Sequence, residues 1–220
     1  DQKQRTDERI LTVTDLGAGS KTLGNQRSVN QIHKTSTSGK RYGTLLYRLC
    51  KHFEPSRILE LGTSLGRGTL AMHLGYQAAE IISIEGSPEI AAIARENMNE
   101  FATNPSNIDL VVSSFSDYLS NLDNKTFEKH WPSSIKIDVE GYELYVLKGM
   151  TRILSKKPVL YIEMIESNFA NFSYTSLDLI KFLENNKINI FTTIFQNILI
   201  LKKMGSRIFF QCSKNISEFF

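Results

Sequence analysis

Five acids and a cluster of glycines stand where they could do chemistry together. Glu60 ends a short apolar run and is followed by Gly62, Gly66 and Gly68, then by the apolar stretch Leu70 to Leu74. Strand, glycine turn and helix in that order aim backbone N–H groups and a helix N-terminus at a nucleotide-like ligand. Ser64 occupies the place where a dinucleotide turn needs its second glycine, so the spacing does not fit that class of site. Glu85 closes a second apolar run 23 residues beyond Gly62. A carboxylate at such a strand tip can accept both hydroxyl hydrogens of a ribose; an ordinary surface acid at a strand end is the alternative. Asp138, Glu140 and Glu163 end or follow later apolar runs, where a carboxylate could take a proton from a reacting hydroxyl.

The hydrophobic pattern supplies a scaffold for these residues. Short apolar runs at Ile58–Leu59, Ile81–Glu85, Asn107–Val112, Ile135–Asp138 and Pro158–Glu163 read as strands. Helical patterns separate them. Ser87-Pro88 with Glu89 predicts a capped helix start, and Ile90, Ile93, Ala94, Met98 and Phe101 mark its buried face. Leu144, Val146, Leu147 and Met150 mark another helix, and residues 176–185 a third. Strands alternating with helices imply right-handed crossovers: an α/β, Rossmann-like, mostly parallel sheet with helices on both faces. Ile188–Ile194, Ile198–Leu201 and Ile208–Gln211 compete for the last strands, and Asp123–Pro132 reads as an irregular polar loop.

Residues 1–56 read as an N-terminal extension packed on a catalytic domain of residues 57–220. Ile10–Val13 is a short strand or turn. Asp15–Ser20 is glycine-rich, but polar residues follow it, so it reads as a loop. Two helices follow, Val29–Lys34 and Tyr42–His52, the second with Leu45, Leu46, Leu49 and Cys50 on one face. Between Leu16 and Phe53 there are seven basic residues and no acid. Two readings compete, a solvated surface and a basic lip that attracts an anionic acceptor.

The 220 residues suit one domain, and 41% apolar with 22% charged residues is ordinary globular composition. Two cysteines without paired spacing give no disulfide framework or zinc cluster, and a reducing cytoplasm is the expected location. No apolar run approaches the ~20 residues that span a bilayer. The chain opens on Asp1 rather than Met, which leaves room for residues before it.

Glu-Leu-Gly-Thr-Ser-Leu-Gly, residues 60–66, resembles the first motif of class I S-adenosylmethionine (SAM)-dependent methyltransferases, and within them is similar to catechol O-methyltransferase-like enzymes. Ile-Lys-Ile-Asp-Val-Glu-Gly-Tyr-Glu, residues 135–143, with Val-Leu-Lys-Gly ending at Gly149, resembles the fourth-strand signature of FkbM-type methyltransferases. The resemblance covers roughly Arg57 to Lys203. It implies a seven-stranded sheet whose last strand is antiparallel, SAM as cofactor, and transfer of its methyl group to a hydroxyl of a small molecule or sugar. The cofactor contacts it implies are Glu60, Gly62, Thr63, Ser64, Gly66, Thr69, Glu85, Gly86, Ser114, Phe115 and Asp138. Asp117 either joins Phe115 at the adenine or caps the next helix.

Asp138, Glu140 and Glu163 are the candidate catalytic residues, with His33 behind them; Glu140 could instead cap a helix. Metal-dependent catechol-type enzymes carry an Asp-Asn pair after the fifth strand. Glu163-Met-Ile-Glu166 stands there instead, so no metal is expected, although Asp138, Glu140 and Glu163 could together surround a hard cation. A SAM-binding partner without catalysis would be expected to lose acids at the substrate edge, and this sequence keeps them. A nucleic-acid methyltransferase working through residues 16–53 is disfavoured, because Asp138-Val-Glu-Gly replaces the tetrapeptide used to methylate base amino groups. A homodimer is left open.

Overall fold

A computed structural model describes residues 2–13, 25–35, 40–121, 131–169, 172–188, 190–193 and 198–201. The expectations for Asp15–Ser20, for most of the 123–132 loop and for Ile208–Gln211 lie outside these residues. In chain order the elements are α1 (Gln2–Thr6), β1 (Ile10–Thr12), β2 (Gln26–Ser28), α2 (Val29–Thr35), α3 (Lys40–Phe53), β3 (Arg57–Leu61), α4 (Arg67–Gly75), β4 (Glu80–Glu85), α5 (Pro88–Phe101), β5 (Ile108–Val112), α6 (Phe115–Ser120), β6 (Ser134–Ile137), α7 (Glu143–Gly149), α8 (Thr151–Leu154), β7 (Val159–Glu163), α9 (Glu166–Phe169), α10 (Ser176–Asn185), β8 (Ile190–Thr193) and β9 (Ile198–Leu201).

Seven strands form one sheet in the order β5-β4-β3-β6-β7-β9-β8. The first five are mutually parallel, while β9 runs antiparallel to both β7 and β8. Two of the three competing C-terminal segments are therefore strands, and they pair with each other. Strand order reverses at β3, where the chain first builds outward through β4 and β5 and then returns to β6. Ligands in such sheets bind outside the carboxyl ends at this switch point.

The local chemistry accounts for the elements. Every residue of β6 and the first four of β7 are buried, as strands covered on both faces must be. Ser87 caps α5 through its hydroxyl, which accepts from the Ile90 amide, and Pro88 supplies the fixed φ of the first turn. The polar run Ser113–Asp117 leads into α6, with Ser114 rather than Asp117 as its N-cap. Helices α7 and α10 cover one face over Leu59, Ile135 and Leu160; α3 and α4 cover the other over Ile58, Ile81 and Tyr161.

The extension packs against the start of the sheet domain. Val13, Val29 and Ile32 share a small core with Leu65, Ile90 and Ile93. Gln4 donates to the Leu65 carbonyl, and Arg9 pairs with Glu96 on α5. Val13 just after β1, Arg27 of β2 and Ile32 of α2 thereby reach the edge of the cleft above the glycine turn.

Candidate active site

The glycine turn is fixed by two close approaches. Gly62 has φ +95°, and a Cβ there would lie 1.9 Å from the Asp138 carbonyl oxygen. No side chain fits between the β3 and β6 ends, so glycine is obligatory. Ser64 follows at φ +49°, and its amide donates to Glu85 Oε2 at 2.9 Å. Glu85 Oε1 accepts from the Ser87 amide at 3.0 Å. Burial pushes the Glu85 carboxyl above the usual range, and backbone N–H groups oppose that shift. Each oxygen retains a lone pair for a ligand hydroxyl.

Beneath the turn lies a buried polar layer that strand register assembles. Glu60 stands opposite Ser83 on β4 and Lys136 on β6. Lys136 is 2% exposed and Glu60 fully buried. The Lys136 ammonium lies 3.1 Å from Glu60 Oε1 and 3.2 Å from Asp138 Oδ2, and donates to the Gly62 carbonyl at 3.0 Å. Thr69 and Ser83 both donate to Glu60 Oε2, and the Thr63 hydroxyl lies 2.6 Å from that of Ser83. Burial alone would lower the Lys136 pKa; the Asp138 and Glu60 charges outweigh it and hold the ammonium charged.

The second wall is the turn after β6. Glu140 has φ +48° and Gly141 φ +104°; a Cβ on Gly141 would come within 2.6 Å of the Asn168 carbonyl. Glu143 reaches back to accept from the Gly141 amide at 3.1 Å. The Tyr174 hydroxyl donates to the Gly141 carbonyl at 2.6 Å and lies 3.1 Å from Glu143 Oε2. This bracing projects Glu140 outward. At the end of β7, burial together with the Asp138 charge pushes the Glu163 carboxyl up to about 9.

A cavity of 310 Å³ opens above these walls. Gly62, Ser64, Glu85, Gly86, Ser114, Phe115, Asp138 and Glu140 all line it, so most of the sequence-derived site residues converge. Others do not reach it. Glu60, Thr63 and Thr69 turn into the layer under the turn, since alternation along β3 and the first turn of α4 aim them at the sheet. Gly66 lies against Met98 and serves as the N-cap of α4. Glu163 stands behind Asp138 rather than at the wall. The Asp117 amide and carboxylate both bond the Ser114 hydroxyl, which makes it part of the α6 cap. His33, the fallback catalytic candidate, is not among the residues lining the cavity; it is buried in α2 with Nδ1 3.3 Å from Gln4 Oε1, and burial and then Arg67 lower its pKa.

Sequence reasoning gave no role to Lys136, Glu143 or Tyr174; Tyr142, at the sheet edge that the signature marks, lines the cavity. Val13 and Ile32, which it did not identify, and Arg27 of the basic segment bring the extension to the cavity. Of the basic residues in 16–53, Arg27 is the one at the wall among the described residues. Among those residues, no group of three His, Cys, Asp or Glu could hold a metal ion.

Residues 118–190 match the family described as the Methyltransferase FkbM domain, the stretch that carries the β6 signature and its bracing. Solved structures match over most of the chain. The O-methyltransferase from Bacillus cereus in complex with SAH (S-adenosylhomocysteine) shares 16% identity over 77% of this chain and 84% of its own, with a TM-score of 0.61. SAH-bound PaMTH1 of Podospora anserina shares 18% over 76% and 80%, at 0.60. The SAM complex of the O-methyltransferase TomG from Streptomyces achromogenes, involved in tomaymycin synthesis, shares 16% over 78% and 85%, at 0.61. The chain has the class I SAM-dependent methyltransferase fold. No curated protein sequence matches it. In this methyltransferase fold the glycine turn, Glu85 and Asp138 meet at the switch point of the sheet, where the strand order places them.

Proposed function

We propose that this protein is a SAM-dependent O-methyltransferase that methylates a hydroxyl of a small molecule or sugar, with Asp138 receiving the hydroxyl proton. The observation that carries the reading is the meeting of Glu85 and Asp138 on one cavity, held at fixed separation by the Gly62 turn. The residues suit the cofactor's chemistry. Glu85 offers two acceptors to ribose hydroxyls, Phe115 and Ile90 offer apolar surface to adenine, and Asp138 and Glu140 offer negative charge to a cation.

Bound SAM supplies a methyl group on a positively charged sulfur. The protein's share is positioning and proton removal. Holding the acceptor oxygen in line with that methyl contributes roughly 7–11 kcal/mol. A carboxylate at hydrogen-bond distance adds about 10²–10⁴-fold. Asp138 suits that role because Lys136 fixes its orientation and the backbone of the Gly62 turn fixes its height. Val13, Arg27 and Ile32 cover the cavity from the extension and limit water at the reacting atoms.

Glu85, Asp138 and Glu140 face the cavity against the single guanidinium of Arg27 among the described residues. That balance favours an acceptor that is neutral at its reacting end over a phosphorylated one. No helix among the described residues is long and apolar enough to cross a membrane.

Calorimetric titration with SAM and with SAH tests the reading. Both are expected to bind well below about 1 mM. If neither binds a folded sample at that concentration, the proposed activity is wrong.

A further inference from the structure

The extension delivers one guanidinium to a cavity whose other charged groups, among the described residues, are acids. Arg27 stands opposite Leu11 in the β1–β2 ladder, and the Val13 amide continues that ladder by donating to the Asn25 carbonyl at 2.7 Å. Cross-strand partners share a face, as do residues two apart along a strand. Leu11, Val13 and Arg27 therefore lie on one face of the ribbon. Leu11 and Val13 pack there against Leu65 of the glycine turn and Ile90 of α5. Arg27 is carried to the same side, half-buried, and lines the cavity with Val13 and Ile32.

Other residues dock the ribbon. Gln4 donates to the Leu65 carbonyl at 3.3 Å, and Arg9 pairs with Glu96 at 2.9 Å. The Val29 and Asn30 amides donate to the Arg9 and Asp7 carbonyls at 3.0 and 2.8 Å. With the apolar core beneath them these contacts hold the extension down, so docking does not call for a charge at position 27.

The charges on the wall suit a ligand of mixed sign. SAM brings a positive sulfur, a positive amine, a negative carboxylate and two ribose hydroxyls. Glu85 suits the hydroxyls, and Asp138 and Glu140 suit the two positive groups. All three acids repel the cofactor's carboxylate. Several amides of the wall are already committed: Gly62 donates to the Ile84 carbonyl, Ser64 and Ser87 to Glu85, and Asp138 to the Leu61 carbonyl. Arg27 is the complementary group, since a guanidinium can present two parallel N–H donors to one carboxylate.

We propose that Arg27 binds the amino-acid carboxylate of the cofactor, which makes the extension part of the cofactor site. The inference rests on SAM being the cofactor. Each charged group of SAM then meets an opposite charge, and no positive charge at the described wall is left for the acceptor. Arg27 makes and breaks no bond; it fixes the end of the cofactor remote from the adenine.

Calorimetric titration with SAH and with decarboxylated SAH, in which a hydrogen replaces the carboxylate, isolates this contact. The wild type should prefer SAH roughly 10–100-fold. Arg27→Met, which keeps an apolar stem, should lose that preference by binding SAH more weakly while its affinity for the decarboxylated ligand is unchanged. A wild type that does not distinguish the two ligands, or an Arg27→Met that keeps the preference, overturns the proposal. Equal weakening of both ligands also overturns it, because Arg27 then supports the wall without touching the carboxylate. Thermal melts show whether the variant is folded; should it not be, Arg27→Gln is titrated in the same way and judged by the same outcomes. Absence of SAM and SAH binding to the folded wild type is a separate result, which removes the cofactor reading and this inference with it.

Discussion

Lys136 Nζ lies 3.1 Å from Glu60 Oε1, at matched positions of neighbouring strands and directly beneath the Gly62–Gly66 turn. The pair holds up the cofactor loop from below, because the same ammonium donates to the Gly62 carbonyl. A Cβ on Gly68 would come within 2.9 Å of Glu60 Oε1 and 3.2 Å of Lys136 Cε, so the third glycine of the turn leaves room for this pair. Removing one partner strands the other charge. Lys136→Met should cost about 3–5 kcal/mol in urea unfolding, and adding Glu60→Gln should return a measurable part of it.

Gly62→Ala should be far more damaging than Gly66→Ala. The first adds backbone strain at φ +95° and places Cβ 1.9 Å from a main-chain oxygen that cannot move without shifting β6. The second meets the flexible tip of Met98 at 3.2 Å, leaving chiefly the left-handed backbone cost of about 1–2 kcal/mol. Melting temperatures and SAM titrations of the two variants provide the comparison; equal losses would contradict the assigned geometry.

Glu163 gives a pH signature in stability. Its carboxyl is raised from 4.5 to about 9 in the folded protein. A raised acid favours the folded state fully below the unfolded pKa, and that contribution is lost as the pH climbs from about 4.5 through 9. Glu163→Gln does not titrate, so it should gain on the wild type as pH rises. Urea midpoints at pH 4 and pH 8 should shift the difference between the two proteins by about 4–5 kcal/mol in favour of the variant. A difference independent of pH would mean that Glu163 is ionised throughout.

Tyr174→Phe removes the donor to Gly141 and the contact to Glu143 that brace the turn carrying Glu140. The buried Gly141 carbonyl then lacks that partner, at a cost of about 1–3 kcal/mol. Because the turn also forms the cavity wall, SAM affinity should fall with stability. Thermal melts together with SAM titrations check both.

The parts of the site that lie within one strand–turn–helix unit were legible in the sequence. Gly62, Ser64 and Glu85 announce themselves by spacing, because local backbone geometry dictates it. Glu60 and Thr69 were legible as members of the motif but not in their direction; which side of β3 faces the sheet interior depends on helices that arrive later in the chain. Lys136 was hidden for a stronger reason. A lysine inside a strand ordinarily signals an exposed edge, and its burial here depends on carboxylates from β3 and from its own strand end brought together by register. Tyr174 lies 33 residues from Gly141, so no local pattern links them. The cap at Ser114 was readable as a helix start, yet the polar run around it resembles a loop equally well.

The central claim is that Glu85 and the Gly62 turn hold SAM at the switch point of the sheet. Titration of SAM into the wild type and Glu85→Gln tests it most directly. The wild type should bind below about 1 mM. The variant should fold but bind roughly 10–100-fold more weakly, because charge-assisted bonds to ligand hydroxyls are lost. Failure of folded wild type to bind SAM, or equal affinity in the two proteins, would contradict it.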